Sequence, residues 1–161
     1  MSAAVDALLA RLTDAERRLA EHADAPLPSG LTDPDPGAEE RWEAGQVWAH
    51  LAEFPAYWLA QARRVASRPT DEPVPFGRVK TDAARVEAIE RDRNEAPAAL
   101  LRRVRESLAD VSDAARAFSP DDWAARGVHP TVGELTVHGI VERFIVEHLE
   151  EHADQLDSLR R

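Results

Sequence analysis

Apolar residues recur three and four apart over most of the sequence, the spacing that lines one side of an α-helix. No run of strictly alternating β-branched residues announces a sheet, so the expected class is all-α. Val5, Leu8, Leu9, Leu12 and Leu19 set out a first helix. It ends before the Pro- and Gly-rich stretch APLPSGLTDPDPG, where proline cannot continue it. A second helix is expected from about Glu39 to Ser67, with Val47, Leu51, Phe54, Trp58 and Val65 in one narrow stripe at ~100° per residue. Pro55 lies inside it and removes the donor to the Leu51 carbonyl, which predicts a kink beside His50.

A third helical stretch runs from about Asp82 to Phe118 on Val86, Ile89, Leu100, Leu101, Val104, Leu108 and Val111, with Pro97 bending or splitting it. SPDDW reads as one turn capped by Ser119, with Pro120 at the first helical position. A last helix is expected to open at Thr131, where T-V-G-E offers a capping box between Thr131 and Glu134, and to run to the C-terminus. Four long helices with one apolar stripe each pack most economically as a four-helix bundle, one domain over residues 1–161.

The charge narrows the partners. A formal net charge of -10 and a pI near 5.0 oppose binding to nucleic acid or an anionic membrane surface, both of which need clustered Lys and Arg. No apolar run is long enough to cross a bilayer. The N-terminus MSAAVDALLARLTDAERR lacks the basic start, apolar centre and cleavage site of a secretory leader, so a cytoplasmic location is expected. The chain has no cysteine, which excludes disulfides, thiolate ligands and a protein thiol nucleophile. A metal would rest on His and carboxylate, and thiol chemistry would need a thiol brought in as co-substrate.

The segment EHLEEHADQL carries His148 and His152 at i and i+4, ~40° apart around a helix and ~6 Å along it, so both rings can converge on one cation. The same spacing suits two surface histidines on a charged helix. His50, at the edge of the second helix's stripe, offers a third ligand from a separate element, as a metal site in a bundle core requires; its alternative is a packed histidine bonded to a carbonyl or carboxylate. H-L-E-E-H also fits the H-x-x-E-H pattern of inverted zinc peptidases. That reading fails because such an enzyme needs a further carboxylate ligand from a later segment; Glu151 stays a candidate general base. His138 and Glu142 are expected as a buried, mutually satisfied pair, and His22 and His129 as surface residues. Trp48 would wall a ligand pocket if it lay off the core face near His50, and would otherwise pack in the core.

The segment WEAGQVWAHLAEFPAYW, together with T-V-G-E-L and a last helix carrying H-x-x-x-H-x-x-Q-L, resembles the DinB-like superfamily. That group includes thiol-dependent S-transferases and is related to the mycothiol-dependent maleylpyruvate isomerases. The resemblance implies a four-helix bundle holding a divalent metal, usually zinc or nickel, on His50, His148 and His152. It also implies activation of a low-molecular-weight thiol such as mycothiol or bacillithiol toward a small electrophile, and a homodimer. The isomerase branch has Glu where this chain has His148, so maleylpyruvate isomerisation is not expected. The expected function is thus a metal-dependent thiol transferase; the alternative is a non-catalytic bundle binding a small ligand or protein partner.

Overall fold

In the computed structural model, which describes residues 2–34, 39–68 and 71–161, four helical rods enclose the core. Helix α1 (Ala3–Ala23) starts at Ser2, whose hydroxyl accepts the Val5 N–H at 3.3 Å, and buries Val5, Leu8, Leu12, Ala15 and Leu19. Helix α2 (Ala44–Ala66) begins where the Gln46 side chain accepts the Glu43 N–H at 3.0 Å, and it continues through Pro55. It starts later than its apolar stripe suggests. Pro97 splits the third stretch into α3 (Ala83–Asp92) and α4 (Pro97–Ala117), sitting in the first turn of α4, where its missing N–H costs no helical bond. Helix α5 (Pro120–Ala124) is the expected single turn, with Ser119 and Asp122 capping each other.

The last rod differs from expectation at its start. It opens at Val137, not Thr131: α6 (Val137–Val141) is capped by the Thr136 hydroxyl accepting the Gly139 N–H at 3.1 Å. A π-helical segment (Glu142–Glu147) and α7 (His148–Leu159) follow without a break. Residues 126–136 form a hairpin instead, β2 (Arg126–His129) against β3 (Gly133–Thr136), with Val128 opposite Glu134 and His129 opposite Gly133. Gly133 takes φ +89°, which closes the turn and is incompatible with the capping box read at Thr131. Glu134 pairs across the hairpin with Arg126 at 2.7 Å. A two-residue strand, β1 (Val74–Pro75), adds parallel to β2 and completes a three-stranded sheet that the apolar spacing did not foretell.

Helix α1 packs on α4 and α7, and α2 packs on α4 and the last rod, so the four long helices close a ring around a core that includes Leu19, Trp48, Phe54, Leu100, Ile145 and Leu149. This is the predicted bundle. Helix α3 covers α2. Among the described residues no helix is long and apolar enough to cross a membrane.

Candidate metal centre

Helix α2 and the last rod bring His50, His148 and His152 together: one ring nitrogen from each lies within 4.8 Å of the others. His50 and His152 are buried, at 3% and 5% exposure, and His148 is half-buried at the rim. The ring centroids lie 4.5 to 5.1 Å apart. This is the only group of three or more potential ligands among the described residues.

The partners of each ring decide which nitrogen faces inward. His50 Nδ1 lies 2.9 Å from Glu53 Oε1, and since a carboxylate only accepts, Nδ1 carries the proton and Nε2 the lone pair. His152 Nδ1–H donates to Gln155 Oε1 at 2.6 Å, so its Nε2 also has the lone pair. His148 Nε2 is 2.9 Å from His50 Nε2 and, with the His50 proton on Nδ1, is the donor of that contact. To offer a lone pair there, His148 must move its proton to Nδ1, which faces Glu151 Oε2 at 3.7 Å. His50 and His152 thus each have a side-chain acceptor three residues on, Glu53 and Gln155, while Glu151 stands near His148 without bonding it.

Burial, reinforced by the neighbouring His152, holds the His50 and His148 pKa values well below 6.5, so both rings are neutral at neutral pH. Neutral imidazoles are the ligand form. The donor set fits a divalent transition ion: nitrogen ligands, two of them with the outer N–H already committed, as metal-bound histidines require.

Aromatic rings wall the triad. Trp42 stands edge-on to His50 at 5.1 Å and stacks on His152 at 5.9 Å; Phe54 lies 4.6 Å from His148. Trp42 is pinned before α2 by two bonds with Thr32, and the Arg85 guanidinium lies 5.2 Å from its ring. Trp48 is 1% exposed and packs in the core, so the condition for its walling a pocket, a place off the core face, is not met. Two residues before His50 on a helix, it faces away. Trp42 precedes the helix, so helical angles could not have placed it. Glu151 is 70% exposed at the rim.

Three expectations need correction. His138 and Glu142 are half-exposed and 3.8 Å apart, beyond hydrogen-bond reach, because Glu142 accepts instead from Arg11 at 3.1 Å. His22 is buried, its Nε2–H donating to Asp157 at 2.6 Å and its Nδ1 accepting from Arg160 at 2.7 Å. His129 is buried among Trp58, Phe76 and Phe144; its Nε2–H donates to the Arg78 carbonyl at 3.1 Å, and Nδ1 accepts the N–H groups of Thr131 and Val132, both at 3.3 Å.

Among solved structures, the chain is similar to YfiT from Bacillus subtilis, described as a probable metal-dependent hydrolase with an unusual four-helix bundle topology. The match has a TM-score of 0.75 at 18% identity and covers 100% of this chain and 89% of that one. It also resembles the mycothiol-dependent maleylpyruvate isomerase (TM-score 0.67, 18% identity), covering 97% of this chain but only 63% of the isomerase. An uncharacterized protein from Clostridium difficile 630 matches with a TM-score of 0.69 at 10% identity, over 99% of this chain and 97% of that one. No curated protein matches the sequence. The profile that describes the DinB superfamily matches residues 1–156, and this chain belongs to that superfamily.

Proposed function

We propose that His50, His148 and His152 hold a divalent transition metal, zinc or nickel, and that the protein is an enzyme transferring a small thiol of the mycothiol or bacillithiol type to a small electrophile. The observation that carries this reading is the meeting of three imidazoles from two helices, with Glu53 and Gln155 holding two of them lone pair inward. An ion held by three neutral ligands keeps its full charge and an open position, and supplies Lewis acidity that lowers the pKa of a thiol or water placed there. Trp42 and Phe54 exclude water from the inner side of the triad, and His148 at the rim marks the side from which small molecules arrive. Glu151, at the rim 3.7 Å from His148, is our candidate general base for relaying the thiol proton to solvent. In the transfer, the thiol sulfur bonds to the electrophilic carbon, the leaving group departs with its electron pair, and the thiol proton passes to solvent.

Hydrolysis is the second reading, favoured by the description of the similar Bacillus subtilis structure as a metal-dependent hydrolase. The net charge of -10 speaks against a nucleic-acid partner, and we extend the proposal to a cytoplasmic homodimer.

Protein purified without a His tag or chelator should carry near-stoichiometric transition metal, and zinc or nickel should raise the melting temperature of the stripped form. His152→Ala should lose the metal and keep its helicity. A stripped protein indifferent to both metals would sink the proposal. Incubation of loaded protein with mycothiol or bacillithiol and electrophilic acceptors then separates the chemistries: a conjugate detected by mass supports transfer, and acceptor cleavage without conjugate supports hydrolysis.

A further inference from the structure

We propose that Glu53 and Arg78 are positioning residues that fix the ring of His50, and that the small sheet exists to deliver Arg78 to this task. The inference rests on the proposed metal site only for its effect on affinity.

The three side chains behind the histidines are not equivalent. Glu151 is 70% exposed and 3.7 Å from His148, and Gln155 is uncharged. Glu53 alone is a charged acceptor with only 9% of its side chain exposed. It stays in place because Arg78 Nη2 donates to both of its oxygens, at 2.6 and 2.7 Å, with Arg78 itself only 9% exposed. A buried carboxylate without such a partner would turn toward water, so Glu53 can orient His50 only while Arg78 is present.

Arg78 lies 25 residues from Glu53, in the loop after β1, and is held from three further sides. Its guanidinium lies 3.9 Å from the Tyr57 ring centroid, and Asp82 stands 3.9 Å away. Its carbonyl accepts the His129 Nε2–H from the hairpin. The residue before it, Gly77, takes φ +88° while its N–H donates to Gln61 Oε1 at 2.9 Å. A Cβ on Gly77 would come within 2.3 Å of the His129 ring, so only glycine lets the loop reach α2 beside the hairpin. Sheet, loop, Arg78, Glu53 and His50 therefore form one connected chain of contacts ending at the triad.

The test compares Glu53→Ala and Arg78→Met with wild type in two measurements. Nitrogen NMR of the metal-free ring should show His50 protonated at Nδ1 in wild type and shifted toward the Nε2–H form in both variants. Zinc affinity, by competition with a chromophoric chelator, should fall roughly 10- to 100-fold in each variant, the range for loss of a partner behind a metal-bound histidine. Arg17→Met, which removes exposed ion pairs with Asp14 and Glu21 on α1, should stay within about twofold. Variants that merely melt earlier, with the wild-type tautomer and affinity retained, would overturn the proposal. If Glu53→Ala does not fold, Arg78→Met leaves the carboxylate in place and reads the same two quantities. If wild type binds no zinc, the metal reading fails, and the tautomer comparison alone decides the clamp.

Discussion

His129 shows how much a single buried ring can organise. It accepts from the turn it precedes, donates to the Arg78 carbonyl and packs among three aromatic rings. Burial, together with the charge of Arg143, outweighs the bond to Arg78 and pushes its pKa below 6.5. Between the lowered folded value and the unfolded value of about 6.5, the unfolded chain binds more protons, so stability falls as pH drops through that window. His129→Gln should start less stable and lose less on going from about pH 7.5 to pH 5.5, the span that brackets the unfolded value. Thermal melts at the two pH values check this; equal losses in both proteins would refute it. Neither this burial nor that of His22 was legible in the sequence. Their partners, Arg78 and Asp157, lie 51 and 135 residues away, and a histidine's own neighbours do not say whether such a partner exists. That His50, His148 and His152 come together was legible because each sits on a strongly periodic helix.

The π-helical segment Glu142–Glu147 sets how the last rod presents its two faces. It holds one more residue than an α-helical turn needs, so Val137, Ile140 and Val141 before it and Ile145, Leu149 and Leu156 after it all reach the core. His148 and His152 ride on the second half. Deleting exposed Arg143 should restore α-helical register and rotate one half by ~100° relative to the other. The cost of unburying several core side chains predicts a melting temperature lower by about 10 °C or more. A deletion variant melting with wild type would show that the insertion does not set the register. The long helices were readable because ten or more residues repeat one spacing; Pro97, in the first turn of α4, even marked the split between α3 and α4. Strands of two and four residues offer too few positions for an alternating signal, and β1 finds β2 only about 50 residues further along the chain. T-V-G-E misled because a hydroxyl three residues before a carboxylate fits a turn as well as a cap.

The bundle is laced by ion pairs between helices: Arg11 with Glu142 and Glu150, Arg18 with Asp154 and Asp157, and Arg105 with Glu16. Half-exposed pairs of this kind contribute little each. A cation at the triad would act differently, because His50 and His148 are 98 residues apart. Closing a loop of that length is worth about 4–5 kcal/mol when a disulfide does it, so His50→Ala should abolish the metal-induced rise in melting temperature as completely as His152→Ala. A variant keeping half the rise would show that one helix suffices. In a chain without cysteine such an ion is a reversible rivet. Copies starved of it would yield sooner to a trace of protease, and the surviving fraction would become a gauge of the metal supply the protein has met.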